Sequence, residues 1–433
     1  MERHAMSRLV DWKNTSYKKP IIINGARQVG KTWLLKKFGS QYFDNVAYVN
    51  FDNNTPMNML FEEGYDIPRL LTGIQAETKE RIIEGKTLIV FDEIQECPKA
   101  LTSLKYFREN APNQMIAAAG SLLGLTIHQG TGYPVGNVTT LDLYPLSFRE
   151  FLDATGNQLL RELFDGGDVA ALPALSPKII PLLRQYYYIG GMPEAVAAFV
   201  ESGIPESART VQNQILSDYR HDISKHLTAL ETEYTLAALD SIPAHLGQEN
   251  KKFIFGHIKE GARAKNYRSA ILWLTEAGLA TCVRRISKPD IPLSAYADES
   301  SFKLFMLDVG LLGAMAGLDS NSVISGSTIF TEFKGALTEQ FVCQQLISDC
   351  KVQPFYWSAE NSRGEIDFLV QNEGQIYPIE VKAEENLRSK SLRAFNEKYK
   401  GMNALRFSLS GYRNESWMRN VPLFAVGNID SWK

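Results

Sequence analysis

Residues 20 to 38 read PIIINGARQVGKTWLLKKF. A short β-branched run leads into a GxxxxGKT octet, and the octet leads into a helical pattern with Trp33, Leu34, Leu35 and Phe38 on its apolar positions. Such an octet works only between the carboxyl end of a buried strand and the amino end of a helix, so it commits the start of the chain to an open α/β sheet. Gly25 and Gly30 let the backbone turn so that the N–H groups of Gly25, Ala26, Arg27, Gln28, Val29 and Gly30 face phosphate oxygens. Lys31 reaches the terminal phosphates, and Thr32 offers its hydroxyl to Mg²⁺.

The next apolar runs extend that sheet. NVAYVNFDN (45 to 53) is a second strand. KTLIVFDEIQECP (86 to 98) is a third, with the buried run Leu88 to Phe91 delivering Asp92 and Glu93 at its end. There Asp92 is placed to hold Mg²⁺ through water, and Glu93 to orient and deprotonate the attacking water. QMIAAAGS (114 to 121) ends in Ser121, which reads equally as a sensor of the γ-phosphate and as a helix N-cap. LDLYPL (141 to 146) comes next, followed by SFREFL, where Ser147 with Glu150 forms a capping box at a helix start. With no guanine-selecting motif in view, ATP is the expected nucleotide. A small-molecule kinase needs no water-activating base, so Glu93 directly after Asp92 argues against that class.

At 433 residues the chain is long enough for about three domains. Its formal charge of −3 excludes a histone-like nucleic-acid coat, while leaving room for a local basic groove. Cys97, Cys282, Cys343 and Cys350 are scattered and form no CxxC pair, so neither a zinc site nor a disulfide scaffold is expected. The N-terminus lacks an apolar signal region, and MIAAAGSLLGLTI is too short to span a bilayer. A cytoplasmic protein without membrane contact is the expectation.

Further along, YRSAILWLTEAGLATCVRRIS (267 to 287) is a helix, a glycine stop and a strand, the outline of a winged helix. Eight basic residues lie near it, from Lys251 to Arg285, and read equally as a phosphate-contacting face and as an ordinary solvated one. The C-terminal part carries Glu339 on a helix, then GEIDFLVQNEG and QIYPIEVKAEE, two strands joined at an Asn-Glu-Gly turn. Asp367 and Glu380 fall near the ends of these strands, and Glu380 and Lys382 share a face because strand side chains repeat every two residues. Glu339, Asp367 and Glu380 are therefore candidate ligands of a divalent cation, Mg²⁺ or Mn²⁺, with Glu380 and Lys382 as catalytic candidates for phosphodiester hydrolysis. Buried ion pairs are the alternative reading of the same residues.

GARQVGKT, LIVFDEIQ, AGS, LYPLSFREFL, GGMPEAV, LSDYRHDISK, WLTEAGL, FMLDVGLL, FKGALTEQFV and EIDFLV…IEVK together resemble a prokaryotic family of predicted AAA+-like ATPases. In that family a P-loop domain precedes a C-terminal domain of uncharacterised function related to PD-(D/E)XK nucleases. The resemblance implies an α/β fold whose parallel P-loop sheet has an extra strand between the two ATPase motifs, a helical and winged-helix middle, and a restriction-endonuclease-like terminus. Domains are expected at 1–150 (P-loop ATPase), 151–226 (helical lid or linker), 227–316 (winged-helix-like) and 328–433 (nuclease-like). Lys31, Thr32, Asp92 and Glu93 would be the ATPase residues, and Glu339, Asp367, Glu380 and Lys382 the nuclease-like ones. The chain departs from the pattern at Asn137, where relatives often carry a basic residue.

Two functions fit these readings. One is a Mg²⁺-dependent ATPase whose nucleotide cycle controls a nuclease-like domain acting on or holding nucleic acid. The other is a nucleotide-switched scaffold or signalling ATPase whose C-terminal domain binds a protein partner and cuts nothing. A homo-oligomer is expected with either, since AAA-type sites often borrow a neighbour's arginine.

Overall fold

The computed structural model describes residues 1–16, 18–121, 132–166, 172–259, 261–324, 331–359, 364–383 and 389–432. They form two compact units, one made of residues 2–144 with 276–278, the other of Met1, 145–275 and 279–433.

The N-terminal unit is built on five parallel strands: β1 (Ile21–Asn24), β2 (Asn45–Asn50), β3 (Thr87–Asp92), β4 (Met115–Gly120) and β5 (Thr139–Asp142), in the order β2-β3-β4-β1-β5. β4 thus lies between β1 and β3, the strands that lead into GARQVGKT and Asp92-Glu93. Every residue of β3 and β4 is buried, as expected of central parallel strands covered on both faces. Phe51, Phe61 and Phe91 pack edge to face with centroids 5.5 to 5.7 Å apart, closing one face of the sheet. β5 stops at Asp142, two residues into the LDLYPL run; Leu143 still donates its N–H to Asn24 O at 2.8 Å, and Pro145 has no N–H to continue the ladder.

In the second unit the capping box is present as written: Glu150 N donates to Ser147 Oγ at 3.3 Å, and Ser147 N to Glu150 Oε2 at 3.1 Å. The paired glycines of GGMP allow a tight backbone crossing. A Cβ on Gly191 would lie 2.0 Å from Leu146 O, and one on Gly190, at φ 71°, 2.1 Å from Asp308 Oδ1. In their absence Gly191 N donates to Asp308 Oδ2 at 2.6 Å and Leu146 N to Gly191 O at 2.6 Å. Three sequence blocks are thereby joined at one buried carboxylate, whose protonation burial favours.

The remaining strands are β6 (Ala280–Ile286), β7 (Ala297–Met306), β8 (Phe355–Ser358), β9 (Glu365–Asn372), β10 (Gln375–Val381), β11 (Ala404–Ser408), β12 (Arg413–Asn414) and β13 (Met418–Pro422). They form one eight-stranded mixed sheet, ordered β12-β13-β11-β10-β9-β8-β6-β7. The β6–β7 hairpin, read as the wing, and the strands read as nuclease-like therefore share a sheet, joined where Arg285 pairs with Tyr356. The β9–β10 turn has Glu373 at φ 49° and Gly374 at φ 74°, the two left-handed residues that a two-residue hairpin favours. Helix Thr331–Ser348 uses glutamines to close off exposed backbone: Gln340 accepts from Met306 N and donates to Met306 O at 2.8 and 2.6 Å.

Candidate functional site: a nucleotide cradle and a carboxylate cluster

The cradle follows β1. Gly25 has no room for a side chain, since a Cβ would lie 2.2 Å from Leu143 O, and Gly30 sits at φ 94° as it starts helix Lys31–Tyr42. Lys31 is buried and donates to Gly25 O at 2.8 Å and Ala26 O at 2.7 Å. Burial lowers its pKa to about 8, with Glu93 and Asp92 opposing that fall. Thr32 Oγ1 donates to Asp92 Oδ2 at 2.7 Å, so the hydroxyl and the carboxylate of two distant motifs meet. Glu93, at φ 50°, receives Gln95 Nε2 on its Oε2 at 2.6 Å. Arg27 Nε reaches the buried Ser121 Oγ at 3.4 Å; the segment Ser121 would cap lies outside the described residues. The chemistry of this set fits a nucleoside triphosphate and a hard cation: turned amides and an ammonium for phosphate, and a hydroxyl beside a carboxylate for the ion.

Two residues here escape a reading of the motifs alone. Tyr48, on β2, donates to Asp92 Oδ2 at 2.7 Å, and burial first, then this bond, raises the phenol's pKa. Its only sequence signal is a polar-tipped aromatic near a strand's carboxyl end. Arg3, buried, donates to Val29 O at 2.8 Å and Tyr144 O at 2.6 Å, fixing the back of the loop from a position that no motif marks.

The carboxylates of the C-terminal half are arranged differently. Glu339, 5 % exposed, takes Lys251 Nζ on Oε1 at 2.5 Å and faces Lys303 Nζ from Oε2 at 3.7 Å. Lys303, with no exposed surface, also meets Glu365 Oε1 at 2.5 Å. Asp367 Oδ2 accepts from Val381 N at 2.7 Å, and burial, then Glu339, raises its pKa to about 7. Burial opposes the charges on Lys251 and Lys303, yet Glu339 and Asp367, joined at Lys303 by Glu365, hold both pKa values above the usual lysine range. Glu380 pairs with Lys382 at 2.8 Å, while β11 brings Arg406 into register beside it. Glu380 Oε2 is buried without a hydrogen bond among the described residues. Among the described residues, no group of three His, Cys, Asp or Glu side chains is placed to hold a metal ion. Much of the basic face expected around the hairpin is likewise paired: Arg284 with Glu299 at 3.0 Å, Arg285 with Asp298 at 2.9 Å and Lys259 with Glu233 at 3.8 Å. Arg220 makes a two-point pair with Asp240 at 3.0 and 2.6 Å. No described helix is long and apolar enough to cross a membrane.

The strand order places β4 between the P-loop strand β1 and the acid-bearing strand β3, and residues 17–152 match the family model of an AAA domain. Residues 180–322 and 334–423 match two domains of unknown function, DUF8612 and DUF4143. None of the curated proteins matches the chain. Among solved structures, the chain is similar to the Walker-type ATPase PABY2304 of Pyrococcus abyssi, at 13% identity over 73% of this chain and 95% of that one, with a TM-score of 0.45. It is also similar to the Aeropyrum pernix ORC1 protein in complex with DNA, at 15% identity over 75% and 94%, with a TM-score of 0.31. Cdc6p of Pyrobaculum aerophilum follows at 14% identity, 75% and 96%, and 0.27.

Proposed function

We propose that the chain is a Mg²⁺-dependent ATPase in which the amides of residues 25–30 and Lys31 bind the phosphates, Thr32 and Asp92 hold the ion, and Glu93 is the base. The observation that carries this reading is the meeting of Thr32 and Asp92 at 2.7 Å beside a lysine bonded to backbone carbonyls of its own loop. Bound Mg²⁺ would neutralise charge developing on the β and γ oxygens. Water oxygen bonds to the γ-phosphorus, the bond from that phosphorus to the β–γ bridging oxygen breaks, and Glu93 takes the water's proton. For that step Glu93 must turn from Gln95 to the water, and in this reading Ser121 would sense the γ-phosphate rather than cap the segment after it. Phosphate release measured on wild type and Lys31→Ala tests the reading: turnover surviving in the variant overturns it.

The reading extends to a nucleotide cycle that controls a nuclease-like C-terminal domain of restriction-endonuclease type, acting on or holding nucleic acid, with the winged-helix hairpin as its lid. Its support is the order Glu339 on a helix, Asp367 and Glu380 on two strands and Lys382 just after the second, together with the exposed cations Arg393, over Trp417, and Lys398, over Trp357 and Tyr399. Divalent-ion-dependent cleavage of labelled DNA and RNA, lost in Asp367→Ala, is the outcome it requires. A second reading, the nucleotide-switched scaffold that binds a protein partner and cuts nothing, is favoured by the lysines already paired with Glu339 and Glu365. A homo-oligomer and a cytoplasmic setting are part of both.

A further inference from the structure

Seven charged side chains gather where β7, β9, β10 and helix Thr331–Ser348 meet: Lys251, Lys303 and Lys382 against Glu339, Glu365, Asp367 and Glu380. Of the three lysines, only Lys382 belongs to the strand motif that drew attention to the site. Lys303 comes from β7, within the otherwise apolar run Phe302 to Met306, and Lys251 from the segment ahead of helix Ala264–Glu276. Both oxygens of Glu339 already face an ammonium group, Oε1 that of Lys251 and Oε2 that of Lys303, and Glu365 Oε1 faces Lys303 as well. Asp367 Oδ2 is taken by a backbone N–H. A divalent ion entering here would have to part these pairs and leave a fully buried ammonium group with nothing opposite it, a costly outcome. The lysines have the further advantage of being tethered.

We propose that Lys303 and Lys251 are the resident cations of this cluster, and that it takes up a divalent metal ion only when one of those lysines is removed. The residues therefore do not fit the metal ion that a nuclease-like terminus would need, and the cluster acts as an internal ionic clasp. Lys303 holds the β6–β7 hairpin to β9 through Glu365 and to helix Thr331–Ser348 through Glu339. Lys251 ties the preceding segment to the same helix. The clasp explains why the hairpin and the C-terminal strands form one sheet although a single residue pair, Arg285 with Tyr356, bridges β6 and β8. The inference counts against the nuclease reading of the C-terminal domain and for the scaffold that cuts nothing; the ATPase reading stands or falls separately.

The test is a Mn²⁺ titration of the nucleotide-free full chain, with bound and free ion separated by electron paramagnetic resonance. Wild type and Asp367→Asn should bind the same amount, since whatever they bind lies elsewhere. Lys303→Gln should gain a site about tenfold or more tighter than anything in wild type, and Asp367→Asn placed in the same chain should remove it. Lys251→Gln, at the edge of the cluster, should gain a weaker site and serves alone if Lys303→Gln does not fold. A wild-type Mn²⁺ site that Asp367→Asn abolishes would overturn the proposal, and so would folded lysine variants that gain nothing. Phosphate release from ATP, followed in the same samples, reports on the cradle independently, so a failure of one reading is not mistaken for failure of the other.

Discussion

In the nucleotide cradle, Lys31 directs its ammonium group at two neutral carbonyls, Gly25 O and Ala26 O; in the carboxylate cluster, Lys303 and Lys251 direct theirs at Glu365 and Glu339. Both settings are buried, and the difference lies in what opposes the charge. Burial lowers the pKa of Lys31 to about 8, because the nearby acids Glu93 and Asp92 compensate only in part. Burial also works against charge on Lys303, but three acids outweigh it. A buried lysine without full compensation is poised to receive an anion, whereas a fully opposed one is a structural element.

The sharpest way to break this comparison is to remove the groups proposed for chemistry. Glu93→Gln should lower the rate of ATP hydrolysis roughly 10²–10⁴-fold, the usual contribution of a positioned base, while ATP binding followed by calorimetry persists. Lys31→Ala should lose both. Equal loss of binding in the two variants would mean that Glu93 shapes the pocket and activates nothing.

The clasp predicts an effect on stability. Lys303→Ala strips one partner from a buried pair and leaves Glu365 and half of Glu339 unopposed, at a cost of roughly 3–5 kcal/mol. Lys31→Ala removes a charge that the fold disfavours and should leave the melting temperature within about 2 °C of wild type, a shift that reflects less than ~1 kcal/mol at this size. Thermal unfolding followed by circular dichroism distinguishes them; similar losses in both variants would erase the contrast between the two lysines.

A smaller effect should appear at Tyr48. Its hydroxyl and that of Thr32 share Asp92 Oδ2 at 2.7 Å each, and Glu93 N approaches Oδ1 at 3.1 Å, so Asp92 is held by three donors. When Thr32 turns to the ion, Tyr48 would keep the carboxylate aimed. Tyr48→Phe should raise the Mg²⁺ concentration for half-maximal turnover about tenfold, the value of one hydrogen bond to a charged group, with kcat at saturating Mg²⁺ nearly kept. A fall in kcat at unchanged Mg²⁺ demand would instead assign Tyr48 a part in the chemistry.

These two sites also differ in how far they could be read from the chain. The cradle is written in eight consecutive residues, and its partners Asp92 and Glu93 follow a run of four apolar residues that only a buried strand explains. Ser147 and Glu150 are three residues apart, and their capping box forms as local chemistry requires. The clasp has no such locality. Lys251 lies 88 residues from Glu339, and β7 and β9 are separated in the sheet by β6 and β8. Spacing could suggest that Glu339, Asp367 and Glu380 converge, but not that two lysines from outside the motif would meet them. One trace was present: Lys303 interrupts the run Phe302 to Met306, and a charge in a buried strand requires an opposite charge nearby. Arg3 and Tyr48 act on the cradle through long-range contacts with no periodicity behind them.

The lowered pKa of Lys31 supplies the smallest and most discriminating effect. In the nucleotide-free chain the amine titrates at about 8, below its ordinary 10.5, so it is mostly charged at neutral pH and mostly neutral two units higher. Phosphate oxygens restore the charge, and binding above pH 8 must therefore take up a proton. The apparent Kd for ATP should rise about twofold from pH 7 to 8 and about tenfold by pH 9. Stability should move the other way. A lysine whose pKa falls on folding disfavours the fold while charged, so the nucleotide-free N-terminal unit should gain stability as pH climbs from about 8 toward 10.5. Calorimetry in buffers of different ionisation enthalpy would count the proton. Lys31→Arg, which stays charged throughout, should show neither trend, and a pH-independent Kd in wild type would place Lys31 among the fully opposed lysines after all.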